Sequence, residues 1–125
     1  MKTIAQRRAA IALLWKDKSF GGKKEGNVVS GFPMLIRTDG LLPSLAYAVE
    51  KKEDRQTERL VPKNPGEFQI ASALVDHLKA EGILKKSKTP EEMVDELANA
   101  ADASQLRRAT SEALAFLNYL KRFVA

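Results

Sequence analysis

The chain has 125 residues, of which 44% are hydrophobic and 30% are charged, a composition typical of one globular domain rather than of a disordered chain. It contains no cysteine, so disulfides and thiolate metal sites are excluded, and we expect a cytoplasmic protein. The formal net charge of +5 suggests a polyanion or an acidic protein surface as a partner, although many basic proteins bind no nucleic acid.

The first predicted helix runs from Thr3 to about Lys16, because this stretch is rich in Ala and Leu and contains no Gly or Pro. Every residue from Ala9 to Trp15 is apolar, which predicts burial in the core, and Trp15 is equally a candidate anchor for a protein interface. Arg7 and Arg8 precede this apolar run, but no A-x-A-like cleavage site follows it, so we do not interpret it as an export signal. No stretch contains 18 consecutive apolar residues, so no membrane span is predicted.

Residues Asp17 to Gly26 form a predicted surface loop, because three glycines and several charges occur together there. The loop is not a nucleotide-binding loop of the Walker A type. Asn27 and Val28 occupy the two positions after Gly26 where that motif requires Lys and Ser or Thr. A mobile lysine-rich loop is nevertheless suited to contacts with a phosphate backbone.

A helix hairpin is predicted next. Its first helix spans Val28 to Gly40, with Pro33 either bending or starting it and Gly40 ending it through a positive backbone angle. Its second helix begins at Leu41, with Pro43 in the first turn. The highly charged residues Lys51 to Arg59 then form either a solvated helix end or a linker.

Two further helices are predicted in the second half of the chain. The first spans Gly66 to Glu81 and places His77, the only histidine, on its apolar face, where we expect a core or rim residue rather than a catalytic one. The second runs from Pro90 to Ala101, because Thr89-Pro-Glu-Glu92 forms a capping box. Its acidic residues stabilise the helix start, so neither a metal site nor acid-base catalysis is predicted there.

The closing stretch Asp102 to Ala125 contains no Gly or Pro and predicts one long helix, capped by Asp102 or Ser104, along which shorter helices can pack. Its apolar stripe consists of Leu106, Ala109, Ala113, Phe116, Leu117, Leu120, Phe123 and Val124. The opposite, solvent-facing side is predicted to carry Arg107, Arg108, Ser111, Glu112, Asn118, Tyr119 and Arg122. The whole chain therefore predicts an all-α, single compact domain (residues 1–125) of about six helices, bundle-like, with a long C-terminal helix. The sequence contains no motif for catalysis, a cofactor or a metal, so we expect no enzyme activity.

Three stretches together resemble the small subunit of type III-B CRISPR effector complexes, the Cmr RNA-silencing complexes. They are the basic and Ala-rich segment Gln6–Leu14, the hairpin segment Phe32–Tyr47 and the closing segment Ala109–Phe123. The family more often has Trp at the position of Tyr119, and Pro43 is less usual in it. The resemblance implies an all-α, non-catalytic structural subunit whose copies stack beside the backbone subunits and line the groove where target RNA pairs with the crRNA.

Under this resemblance we expect partners of two kinds: other Cmr subunits, including further copies of the chain, and RNA contacted through its phosphates. The candidate phosphate contacts are Arg7, Arg8, Lys16, Lys18, Lys23, Lys24, Arg107, Arg108, Lys121 and Arg122. The candidate protein contacts are Trp15, Phe20 and Tyr47.

The alternative is a free-standing helical adaptor or nucleic-acid-binding domain. Residues Ile36 to Leu45 superficially resemble a helix-turn-helix. However, the helix after the turn contains no Arg, Asn or Gln that could reach base edges. An enzyme is the least favoured interpretation.

Overall fold

Six helices and one short β-hairpin make up the computed structural model, which describes residues 1–18, 20 and 25–124, with the backbone alone for residues 25–27. The helices are α1 (Ile4–Trp15), α2 (Glu25–Asp39), α3 (Leu41–Ala48), α4 (Pro65–Ala80), α5 (Pro90–Ala98) and α6 (Ser104–Phe123). The strands are β1 (Lys51–Glu53) and β2 (Leu60–Pro62). The prediction of an all-α domain with about six helices and a long C-terminal helix is confirmed.

Helix α4 is the central element of the domain, because it packs against each of the other five helices. Its buried residues include Ile70, Leu74 and Leu78, which carry the apolar positions of three successive turns. Helix α6 packs against α1, α2 and α4. The predicted apolar stripe of α6 does face the core, but the helix at the centre of the molecule is α4.

Helix α1 lies at the edge of the domain, and the prediction that its apolar half is buried is wrong. Among residues 9 to 15 only Ala12 is buried, whereas Leu13 is 47% exposed and Leu14 is 71% exposed. The helix contacts α4 and α6 on one side, so a helix that is apolar around its circumference must expose part of that surface. The sequence contains no signal for which side that is.

The N-terminal cap of α5 is the predicted one, whereas the N-terminal cap of α6 is not. Thr89 and Glu92 form the predicted capping box, although α5 ends at Ala98 rather than Ala101. The N-cap of α6 is Ala103, whose methyl side chain cannot form a capping hydrogen bond, so the prediction of Asp102 or Ser104 as the N-cap is wrong. The Asp102 carboxylate nevertheless accepts hydrogen bonds from the N–H and the hydroxyl of Ser104 and so satisfies one free N–H of the first turn.

The segment from residue 51 to 62 is an antiparallel β-hairpin rather than a helix end or linker. Lys51 pairs with Pro62 and Glu53 with Leu60. The turn is stabilised by Asp54, whose carboxylate accepts the N–H of Gln56. Strands of three mostly exposed residues contain no alternating apolar pattern, so periodicity gives no sign of them.

In the helix hairpin, Gly40 has the predicted positive backbone angle, with φ of 95°. Its N–H donates to the carbonyl of Ile36, and its own carbonyl accepts from the hydroxyl of Ser44. Pro33 lies inside α2 and does not start it. Within residues 1–18, 20 and 25–124, no helix is long and apolar enough to cross a membrane. The cytoplasmic location stays a prediction.

One carboxylate holds the connection between α4 and α5 to the start of α6. Glu96 accepts hydrogen bonds from the backbone N–H groups of Lys85, Lys86 and Ser87, from the Ser87 hydroxyl and from the Gln105 amide. Burial raises the pKa of Glu96, but these donors outweigh it and lower the pKa to about 2.

We expect Glu96 to make the stability of the domain sensitive to acid. Its pKa falls from an ordinary 4.5 to about 2 on folding, so its contribution is present above pH 4.5 and lost as the pH falls from 4.5 toward 2. Urea unfolding of Glu96→Gln should show a loss of up to about 3 kcal/mol at pH 7 that shrinks at pH 2.5. The exposed hairpin variant Glu53→Gln is the control. A pH-independent loss for Glu96→Gln would contradict the prediction.

Candidate nucleic-acid and protein interfaces

A buried ionic network joins α1, α4 and α6. The Arg8 guanidinium donates two hydrogen bonds to Glu112, at 2.6 and 2.8 Å, and His77 Nε2 donates to the same carboxylate at 2.7 Å. The His77 ring stacks on Phe116 with 4.7 Å between ring centres. Burial raises the pKa of Glu112. The hydrogen bonds from Arg8 and His77, together with their charges, outweigh this effect, so the net shift of the pKa is downward.

This network tests the predictions for His77 and Glu112. His77 is fully buried, as expected for a core histidine, and its Nδ1 has no hydrogen-bond partner among the described residues. The prediction that Glu112 lies on the solvent side of the closing helix is wrong, because its carboxylate is buried between Arg8 and His77. The burial of Glu112 depends on Arg8 and His77, which are 104 and 35 residues away along the chain.

Arg7 and Arg8 are both committed to contacts within the chain. Arg7 donates two hydrogen bonds to Glu81, at 2.7 and 3.0 Å, and a third to the Lys2 carbonyl at 2.7 Å. Arg8 is bound to Glu112 in the same bidentate way. A guanidinium whose donor edge is occupied by a carboxylate is poorly placed to bind phosphate. The structure therefore argues against these two predicted phosphate contacts.

The other predicted basic residues near the N-terminus differ in their surroundings. Lys16 and Lys18 are exposed at the end of α1. Lys16 pairs with Asp17 at 3.1 Å, and the Lys18 ammonium lies 6.0 Å from the centre of the Trp15 ring. Lys23 and Lys24 lie outside the described residues.

The three predicted protein contacts also have different outcomes. The prediction that Phe20 is exposed is wrong, because its side chain is fully buried and its carbonyl lies against Gly66 at the start of α4. Trp15 is partly buried, and its Nε1 donates to the Asp76 carboxylate at 2.9 Å. Tyr47 is 41% exposed and stays a candidate contact.

The exposed side of α6 forms a second candidate surface. We name it the α6 outer face and define it by Arg107, Arg108, Ser111, Asn118, Lys121 and Arg122, all of which are exposed. None of its four cations forms an ion pair with another described side chain. Arg107 and Lys121 are 14 residues apart, so they lie roughly 20 Å apart along the helix axis.

Two shallow clefts border the α6 outer face. Arg107 and Arg108 line a cleft of about 380 Å³ together with Ile4, Ser111 and the two carboxylate residues Glu81 and Glu112, which are bound by Arg7 and Arg8. Lys121 lines a smaller cleft between α2 and α6 together with Arg37, which is exposed. Sequence reasoning missed Arg37, because the pattern of α2 shows that this residue is on the surface but not which helix lies beside it.

Positive charge is concentrated in the two terminal parts of the chain. Residues 1–24 and 103–125 contain eleven Lys and Arg but only two acidic residues, Asp17 and Glu112, whereas residues 25–102 contain ten Lys and Arg and fourteen acidic residues. Helices α1 and α6, which belong to the two basic parts, pack against each other. The described parts of the two basic segments therefore lie next to each other.

No group of three or more His, Asp or Glu side chains in the described ranges is arranged to hold a metal ion. The acidic residues of α5 illustrate the reason. Glu92 completes the capping box, and Glu96 accepts hydrogen bonds from the loop before the helix. Both carboxylates are used to hold backbone groups.

Comparison with known proteins agrees with this architecture. The family model described as "CRISPR-associated protein (Cas_Cmr5)" matches residues 4–125. A crystal structure of a CRISPR-associated Cmr5 family protein from Thermus thermophilus superposes with a TM-score of 0.68 at 22% sequence identity, covering 98% of this chain and 95% of that chain. No curated protein matches the chain. The family match spans nearly the whole sequence, and the chain belongs to the CRISPR-associated Cas_Cmr5 family, the Cmr small subunits.

Proposed function

We propose that this chain is a non-catalytic small subunit that stacks in several copies along the backbone subunits of a Cmr effector complex. In that position it helps to hold target RNA paired with the crRNA, while cleavage belongs to other subunits. Family membership supports the place in a Cmr complex. The single observation that supports the RNA-facing role is the row of four exposed cations on the α6 outer face.

The α6 outer face has the charge arrangement that phosphate binding requires. Arg107, Arg108, Lys121 and Arg122 are exposed, and the only acidic residue of α6, Glu112, is buried and bound by Arg8. The six residues of the face include no carboxylate, and the exposed Asp102 just before α6 interacts electrostatically with Arg107. Cations along a rigid helix bind a nucleic-acid backbone without reading bases, so sequence choice is left to pairing with the guide.

The alternative of a free-standing DNA reader is not favoured by the hairpin of α2 and α3. A recognition helix must offer an exposed polar face to the major groove. Leu41, Ser44, Leu45 and Ala48 of α3 are buried. Its exposed residues are Pro43, Ala46 and Tyr47, which offer little hydrogen bonding to bases.

Charge reversal on the α6 outer face tests the proposal in the assembled complex. We expect Arg107→Glu with Arg108→Glu, and separately Lys121→Glu with Arg122→Glu, to weaken retention of target RNA roughly tenfold at low salt. The slope of log affinity against log salt should also become shallower by about 0.7 to 0.9 for each phosphate that is no longer neutralised. The measurement is filter binding of labelled target RNA over a salt series.

The control carries the same charge change on the hairpin, with Lys52→Glu and Arg55→Glu, which are exposed and distant in sequence from α6. Circular dichroism verifies that all variants fold. Unchanged RNA retention for both α6 variants, at every salt concentration, would refute the RNA-facing role of this helix. An equal loss in the hairpin control would show a general charge effect and would also count against it.

A further inference from the structure

A groove between α2, α3 and the first turn of α4 is lined by apolar and acidic side chains. Its volume is about 440 Å³. The residues that define it are the apolar Val28, Leu35, Pro43 and Tyr47 and the acidic Asp39 and Glu67. We name it the α2–α3 groove. Tyr47, one of the predicted protein contacts, forms part of its wall.

The two carboxylates of the α2–α3 groove lack a counter-charge within the described part of the domain. Neither Asp39 nor Glu67 forms an ion pair with another described side chain. Asp39 is the last residue of α2, where the negative end of the helix dipole disfavours a carboxylate, whereas Glu67 lies in the first turn of α4, where the positive end favours one. The groove therefore suits a partner that brings apolar side chains together with a cation, and it repels phosphates.

The end of α1 has the complementary properties. Leu13 and Leu14 are 47% and 71% exposed, and Lys16 and Lys18 follow them. Asp17 offsets one of the two lysines, so this end carries one net positive charge. Within the domain α1 packs against α4 and α6, whereas the groove is built from α2, α3 and the first turn of α4. The two surfaces share no residue.

We propose that the end of α1 in one copy of the chain docks in the α2–α3 groove of the next copy, with Leu13 and Leu14 against its apolar side chains and Lys16 or Lys18 near Asp39 and Glu67. This inference rests on the proposed stacking of copies and names the surfaces that make it. Because the two surfaces differ, the contact is head-to-tail and adds copies in a row rather than closing a symmetric pair. The length of the row is then set by the rest of the complex.

Cysteine cross-linking in the assembled complex tests this arrangement, because the chain has no cysteine of its own. One preparation carries Leu14→Cys, a second carries Tyr47→Cys, and a third is reconstituted from equal amounts of both. After treatment with a short bis-maleimide, we expect a covalent dimer of the subunit in the mixed complex alone. A complex built from the double variant should give a ladder of dimers, trimers and larger species.

A control pair combines Leu14→Cys with Leu60→Cys, which is 72% exposed on the hairpin and outside the groove. Absence of the dimer in the mixed complex, or equal yield in the control pair, would overturn the proposal. A dimer in the complex that carries only Leu14→Cys would show a symmetric contact and would also overturn it.

A charge variant separates this proposal from the RNA-binding role. Asp39→Lys with Glu67→Lys should reduce the yield of the cross-linked dimer at least roughly fivefold. The four cations of the α6 outer face remain in place in this variant, so its RNA binding can be measured at matched subunit content. Both proposals are supported if Asp39→Lys with Glu67→Lys loses the cross-linked dimer and the α6 charge reversals weaken RNA retention. Normal yield of the cross-linked dimer in the Asp39→Lys with Glu67→Lys variant would overturn the docking contact. A dimer in the mixed Leu14→Cys and Tyr47→Cys complex, with no effect of the α6 reversals on RNA retention, would support the docking contact and refute the RNA-facing role.

Discussion

Replacing Gly66 with alanine is expected to destabilise the domain by about 3 kcal/mol. A Cβ at this position would lie 1.7 Å from the carbonyl oxygen of Phe20 and 3.0 Å from a methyl group of Val28. The first distance is far below van der Waals contact and involves backbone, so the chain around Phe20 must move. The Phe20 side chain is fully buried, and such a movement disturbs the core.

The matched control is Gly31→Ala, in the interior of α2, where a Cβ would meet no atom within 4 Å. We expect this variant to gain about 0.5 to 1 kcal/mol, because alanine favours a helix more than glycine does. Urea unfolding followed by circular dichroism measures both free energies of unfolding. If the two variants changed stability by the same small amount, the close contact between Phe20 and Gly66 would not exist in solution.

Replacing Glu112 with alanine is expected to lower the free energy of unfolding by about 3 kcal/mol. The substitution removes the carboxylate that accepts two hydrogen bonds from Arg8 and one from His77. The Arg8 side chain is only 21% exposed, so its charge would stay partly buried without a partner. The loss exceeds the ordinary value of an ion pair because one partner remains desolvated.

Glu50→Ala is the control for this prediction, since Glu50 pairs with Lys63 at 3.4 Å and both side chains are largely exposed. Its cost should stay below about 1 kcal/mol, because solvent and salt screen surface pairs. Differential scanning calorimetry and urea unfolding provide the comparison. Equal losses for Glu50→Ala and Glu112→Ala would mean that the Arg8–Glu112–His77 network contributes no more than a surface pair.

Helical periodicity predicted the exposure of some candidate site residues but not of others. The exposed positions of Arg107, Arg108 and Arg122 follow from helical projection, because these three cations lie opposite the apolar stripe. Arg7 and Arg8 could not be assigned in this way. Their carboxylate partners, Glu81 and Glu112, are 74 and 104 residues away along the chain. Periodicity contains no information on contacts at such separations.

The amino-acid sequence by itself determined the helix content, the capping box at Thr89, the positive backbone angle of Gly40 and the apolar stripe of α6, because each depends on local spacing or local backbone chemistry. Only the tertiary structure decided that α4 is central, that Leu14 is exposed and that Phe20 is buried. The physical reason is the same in each case. Burial of a helix that is apolar on all sides, or of an aromatic side chain in a loop, depends on contacts with residues that are distant in sequence. Several tertiary arrangements are compatible with the same local pattern.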